Sequence, residues 1–136
     1  MHHHRSRHRS GGQSLVEFSL TVGLLMLLAV ATVQVAIFLH YRSSLQLAAQ
    51  EGAFEGSLTG HGTGDATATA NALWAKLEPG AAHAQVSASV QGDLVVVDAK
   101  AVAPALLPVP VPPFTSLPVH VRSVHTIERF QPGSAP

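Results

Sequence analysis

Hydrophobic positions along the chain are concentrated in one stretch near the N-terminus. From Phe18 to Leu39, 22 residues contain no charged residue, no proline and a single glycine. As an α-helix this run is roughly 33 Å long, enough to cross a hydrocarbon core of about 30 Å. The helical pattern continues unbroken from Ser14 to about Glu55. It therefore predicts one long helix that extends beyond the membrane.

The residues after the apolar run predict an amphipathic stalk. Small and apolar residues recur there at helical spacing, while the charged and amide residues lie on other faces. The predicted buried face consists of Leu45, Ala48, Ala49, Gly52 and Ala53. A glycine-rich stretch at 56–65 then predicts a loop.

A second, shorter helix is predicted between this loop and Pro79-Gly80. Asp65 is the expected N-cap, because aspartate accepts hydrogen bonds from the free N–H groups of a first helical turn. The apolar face of this helix contains Trp74, the only tryptophan of the chain. We expect Trp74 to belong to the core, packed against the hairpin that follows or against the stalk around Phe54.

Beyond residue 83 the period of the pattern changes from 3.6 to 2, which is typical of β-strands. Residues 84–91 alternate between small apolar and polar residues, and Gly92-Asp93 suits a two-residue hairpin turn with a positive φ at Gly92. This turn sets a register in which every pair on one face is apolar. The predicted pairs are Val90 with Val95, Ala88 with Val97, Val86 with Ala99, and Ala84 with Ala101.

The C-terminal part contains a proline-rich connection and a third predicted strand. Residues 104–118 hold six of the nine prolines, which favours an extended connection because proline lacks the N–H that a sheet interior needs. Alternation resumes at 119–130. The predicted fold class is therefore α+β: a long N-terminal transmembrane and stalk helix, a short second helix, and a small antiparallel three-stranded sheet.

Charge and composition exclude several function classes. Residues 13–136 carry five Lys or Arg and eight Asp or Glu, which argues against a nucleic-acid partner. The sequence has no cysteine, so a thiolate metal site is excluded. His120 and His125 are five residues apart and fall on opposite strand faces, so they do not suit a shared metal. With no catalytic motif in the chain, we expect no enzyme, no cofactor and no metal site.

The length of the apolar run and the charge of the residues before it allow more than one interpretation of the N-terminal segment. A cleavable secretory signal has an apolar region of about 7–15 residues, shorter than the run here. An uncleaved anchor fits, and Arg5, Arg7 and Arg9 before the run predict a cytoplasmic N-terminus. Neither reading requires Glu17, the carboxylate at the start of the apolar run.

The segment GQSLVEF combines Gly12 with Gln13 at +1 and Glu17 at +5, after a basic leader and before an apolar helix. This combination resembles the class III prepilin motif, in which a prepilin peptidase cuts after the glycine. Over residues 11–58 the chain resembles TadE-like proteins of tight-adherence (Flp) pilus systems, including the segment LQLAAQEGAFEG after the membrane helix. Over 59–136 the resemblance is only architectural.

The resemblance implies cleavage between Gly12 and Gln13 and a role for Glu17 and Phe18 in processing and subunit registry. Together with the pattern along the chain, it predicts four segments: a basic leader at 1–12, the membrane helix and stalk at 13–58, a small extracytoplasmic domain at 59–130, and a disordered tail at 131–136. The N-terminal glutamine left by cleavage is also able to cyclise, which would remove the new amino group.

The implied protein is a non-catalytic minor pseudopilin in the cell membrane, acting in filament initiation or surface attachment. Its implied partners are the membrane, the prepilin peptidase, the major pilin, and other Tad pseudopilins or assembly-platform proteins. The alternative is an uncleaved single-pass anchor that displays a small adhesin or envelope-binding domain. A secreted enzyme behind a signal peptide fits the chain least well.

Overall fold

A computed structural model of the protein describes residues 11–106 and 116–127. Its long helix, short helix and antiparallel sheet confirm the predicted α+β class. Residues 1–10 of the predicted leader, most of the proline-rich connection and the predicted tail lie outside the described residues. The elements are α1 (Gly11–Ser57), α2 (Thr63–Leu77), β1 (Gln85–Gln91), β2 (Leu94–Ala103) and β3 (Leu117–Thr126).

The chain divides into two compact units, Met1–Gln34 and Val35–Pro136. In the first unit the side chains of α1 from Ser14 to Ala29 are exposed all round the helix. Among the described residues, α1 is the one helix whose length and apolar composition would allow it to cross a membrane. A helix that is apolar on every face is typical of a membrane span or of a helix buried inside a larger protein. The first unit thus fits a single-pass membrane protein.

The second unit has a hydrophobic core built from α1, α2 and one face of the sheet. The predicted stalk face is confirmed, because Leu45, Ala48, Ala49 and Ala53 are at most 1% exposed. Phe38 also packs against this core, although it belongs to the apolar run. The core residues are Leu45, Ala48, Ala49, Ala53, Ala66, Trp74, Ala84, Val95, Val97, Ala99, Ala101, Ala103, Val119 and Val121.

The sheet has the order β1-β2-β3 and is antiparallel throughout. The predicted hairpin register is confirmed along β1, where Val90, Ala88 and Val86 face Val95, Val97 and Ala99. The predicted pair Ala84–Ala101 lies beyond the first residue of β1, although both side chains are buried. Gly92 has a φ of +63°, as the two-residue turn requires. Val96 lies on the opposite face and is also buried.

Helix α1 begins at Gly11, three residues before the predicted start at Ser14. Two further predicted element starts are wrong. The N-cap of α2 is Gly62 rather than Asp65. Asp65 is instead the third helical residue, and its Oδ2 accepts a hydrogen bond from the Gly62 N–H at 3.0 Å. A carboxylate at this position reaches back to the free N–H of the cap, so Asp65 stabilises the helix start from inside the helix.

The second correction concerns β3, which begins at Leu117 rather than at residue 119. Pro118 is therefore part of a strand, opposite Val102. Proline is tolerated there because β3 is at the edge of the sheet, where a missing N–H does not remove a bond to a further strand. The described strand ends at Thr126, and residues 128–130 lie outside the described residues.

Candidate functional site

The residues of the predicted processing motif lie in the first two turns of α1. The helix begins at Gly11, so the bond between Gly12 and Gln13 lies in helical backbone. Glu17 follows Gln13 by four residues. Positions 13 and 17 therefore share one face of the helix, about 6 Å apart along its axis.

Glu17 and Phe18 are both exposed on α1. Among the described residues, the Glu17 carboxylate has no ion-pair partner. The nearby hydroxyls are satisfied within the helix: Thr21 Oγ1 donates to the Glu17 carbonyl at 2.8 Å, and Ser19 Oγ donates to the Leu15 carbonyl at 2.9 Å. An unpaired carboxylate is costly near a lipid interior.

A polar network that the sequence did not predict joins α1 to the end of α2, directly after the apolar run. Ser44 Oγ donates to Glu78 Oε1 at 2.7 Å, and His40 Nε2 lies 3.0 Å from the same oxygen. The Glu78 side chain is only 9% exposed, whereas that of His40 is 65% exposed. A single carboxylate is thus held by two residues one turn apart on α1.

An aromatic contact lies beside this network. The rings of Tyr41 and Trp74 meet edge to face with centroids 5.8 Å apart. Trp74 Nε1 donates to the Ala82 carbonyl at 3.1 Å, so the buried indole has its polar atom satisfied. Burial raises the pKa of the Tyr41 phenol, and the negative charge of Glu78 raises it further. The phenol therefore stays neutral beside the carboxylate.

The position of Trp74 confirms one prediction and corrects another. Trp74 is a core residue, only 2% exposed. Its aromatic partner on the stalk is Tyr41 rather than Phe54. The Phe54 ring instead lies edge to face with the His125 ring, with centroids 5.4 Å apart. The reason is that α2 runs antiparallel to the second half of α1, which brings its C-terminal turn beside the beginning of the stalk.

Two glycines of α1 allow the helices to approach closely. A Cβ at Gly52 would lie 2.5 Å from the Ala66 carbonyl oxygen and 2.8 Å from the Ala70 Cβ. A Cβ at Gly56 would lie 2.7 Å from the Ala66 Cβ. The sequence pattern places Gly52 on the buried face of the stalk but does not show what it contacts. The structure makes it a contact residue whose missing side chain is required by the packing.

Histidine–carboxylate pairs occur at two other places. His61 Nδ1 lies 2.9 Å from Glu55 Oε1, and His120 Nε2 lies 3.4 Å from Asp98 Oδ1. These pairs are separate from the Glu78 network. Within the part of the chain that the structure describes, no three His, Asp or Glu side chains are grouped to hold a metal ion.

The comparison with known protein families finds a similarity that covers most of α1. A family model described as TadE-like protein matches residues 12–53. The match begins at Gly12, includes Glu17 and the apolar run, and ends at Ala53 on the buried stalk face. No curated protein and no solved structure matches the chain. Residues 12–53 are thus similar to TadE-like proteins, which confirms the family resemblance predicted from the N-terminal residues.

Proposed function

We propose that the protein is a minor pseudopilin of Tad pilus assembly that is processed between Gly12 and Gln13 and acts by helix packing. The TadE-like segment implies a role in Tad pilus systems. The observation that carries the proposal is the position of this segment, which begins at Gly12 and leads through Glu17 into an apolar helix exposed on all faces. The protein would initiate filaments or attach them to surfaces, with no catalytic activity of its own.

Processing needs a peptide bond that a membrane peptidase is able to reach. Arg5, Arg7 and Arg9 favour a cytoplasmic N-terminus, which puts Gly12 at the cytoplasmic boundary and the second unit on the other side. Glycine at this position permits a close approach of the enzyme to the backbone. Glycine is also about 1 kcal/mol less favourable than alanine in a helix. The first turn of α1, which contains Gly11 and Gly12, therefore opens at low cost.

Cleavage would create an α-ammonium group at Gln13, one helical turn from Glu17. The exposed carboxylate would then pair with an ammonium group in the low-dielectric contact between subunits, which favours the axial stagger that brings the two together. The ammonium of the same chain competes for Glu17, since both positions share one helix face. Cyclisation of Gln13 would remove the cation and leave Glu17 without this partner.

Mass spectrometry of the mature N-terminus tests the processing step. We expect a chain that begins at Gln13 in cells that contain the peptidase, and an intact leader in cells that lack it. A Gly12→Val variant should keep its leader, because the side chain blocks close approach. Gly11→Val is the matched control and should be cut normally. An intact wild-type leader in the presence of the peptidase would refute the proposal.

The role of Glu17 in the axial registry of subunits is tested separately with the variant Glu17→Ala. The variant should insert into the membrane normally but appear in the sheared pilus fraction at a much lower level. Thr32→Ala is a suitable control, because Thr32 is an exposed polar residue whose hydroxyl bonds within the same helix. Equal amounts of wild type and Glu17→Ala in the pilus fraction would remove the registry role.

A second candidate is an uncleaved anchor that displays an adhesin or envelope-binding domain. The observation that favours it is that residues from Val35 onward form a compact unit with its own core. Such a protein would be indifferent to substitution of Gly12 and of Glu17. The two variants above therefore distinguish the candidates.

A further inference from the structure

Charged residues of the second unit are segregated between its two ends. The near end is defined here as the end where α1 enters, marked by His40, and the far end as the end where α1 stops, marked by Ser57. Three contacts fix what lies at the near end. Glu78 bonds to His40, Trp74 bonds to Ala82, and β1 then begins at Gln85 opposite Lys100.

The near end is basic. Arg42, Lys76 and Lys100 lie there with exposed side chains. The one acidic residue described at this end is Glu78, whose carboxylate is almost buried and is already bonded to Ser44 and His40. The exposed charge presented at this end is therefore positive.

The far end is acidic. The end of α1 lies beside the first turn of α2 and beside Val95, next to the hairpin turn. No Lys or Arg among the described residues lies at this end. Asp98 and Arg122 face each other midway along β2 and β3, so they add little to the difference between the ends. The acidic residues at the far end are Glu51, Glu55, Asp65 and Asp93.

We infer that the near end is a docking surface for anionic lipid headgroups. The apolar run stops at Leu39, so Arg42 lies only about 4.5 Å further along the helix, at headgroup depth. Each Lys or Arg close to an anionic membrane surface raises binding about five-fold. The acidic far end is repelled by the same surface. Charge complementarity therefore favours the near end over the far end for contact with the headgroups.

This inference depends on the membrane helix and not on the proposed role in pilus assembly. It is tested with the full chain in nanodiscs of phosphatidylcholine, with or without phosphatidylglycerol. Because the sequence has no cysteine, Ala82→Cys gives a single site for a nitroxide label on an exposed side chain beside the near end. Collisions of this label with nickel chelated to lipid headgroups report docking.

We expect several-fold more frequent collisions in the anionic nanodiscs than in the zwitterionic ones, with the difference removed by high salt. The variant K76Q/K100Q should lower the docking equilibrium about 25-fold, whereas K76R/K100R should preserve it. The control Q50E/Q91E makes the same change in net charge away from the near end and should also preserve docking.

Two results would overturn the inference. One is equal label accessibility in both nanodiscs for the wild type. The other is an equal loss of docking in K76Q/K100Q and Q50E/Q91E. That result would show that docking depends on the net charge of the protein and not on the position of the two lysines. Trp74 fluorescence, measured before the nitroxide is attached, establishes that each variant is folded, since the indole is buried against Tyr41.

Discussion

Replacing Gly52 with alanine would place a methyl group inside the contact between α1 and α2. The new Cβ would lie 2.5 Å from the Ala66 carbonyl oxygen and 2.8 Å from the Ala70 Cβ. The nearest obstacle is a backbone atom of a helix, which is unable to rotate away as the end of a flexible side chain does. Either the two helices separate locally or α1 bends.

The magnitude follows from two opposing effects. Restoring an ordinary contact distance requires a separation of about 1 Å, which forfeits a quarter to a half of the dispersion energy of each neighbouring contact. Overpacking of this kind costs about 1–3 kcal/mol. Alanine gains about 1 kcal/mol over glycine in the helix itself. We therefore expect Gly52→Ala to lower the free energy of unfolding by about 1 kcal/mol, a fall in Tm of roughly 4–8 °C.

Thermal unfolding of the full chain in detergent, followed by Trp74 fluorescence, measures this change. Trp74 is a suitable reporter because it is the only tryptophan and is buried where α2 meets α1. Gly64→Ala is the matched control, since a Cβ at Gly64 in α2 would meet nothing within 4 Å. The control should leave Tm unchanged or raise it. A Gly52→Ala protein as stable as the Gly64→Ala protein would refute the close-packing argument.

Two further substitutions test the hairpin and the aromatic contact. Gly92→Ala places an L side chain at a φ of +63°, so it should cost about 1–2 kcal/mol in the same thermal assay; an unchanged Tm would contradict the turn geometry. Tyr41→Ala removes the ring that faces Trp74 and should cost about 2 kcal/mol, with a red shift of the indole emission. Tyr41→Phe keeps the ring and should stay within about 0.5 kcal/mol of wild type; equal effects of the two changes would exclude the ring contact as the cause.

Features that depend on neighbours along the chain were predictable. The apolar run, the stalk face and the hairpin register all follow from spacing, because side chains repeat every 3.6 residues in a helix and every two in a strand. The Gly92-Asp93 turn fixes which residues of β1 and β2 face each other. The N-terminal motif was also identifiable from the sequence, since Gly12, Gln13 and Glu17 lie within six consecutive residues.

Features that depend on distant residues were decided only by the tertiary structure. Trp74 meets Tyr41, and Glu78 meets Ser44, because α2 folds back along α1. These partners are more than 30 residues apart, and no periodicity encodes that pairing. The start of α2 also escaped prediction, because Gly62 and Asp65 both fit a helix start and only the backbone path selects between them.

The sequence by itself thus determined the elements, their apolar faces and the TadE-like start of the chain. The tertiary structure decided which faces meet, and with them the role of Gly52 and the separation of basic and acidic ends. The physical reason is that secondary structure and hairpin register arise from local backbone geometry. Helix contacts and charge distribution arise only when segments far apart in the chain are packed together.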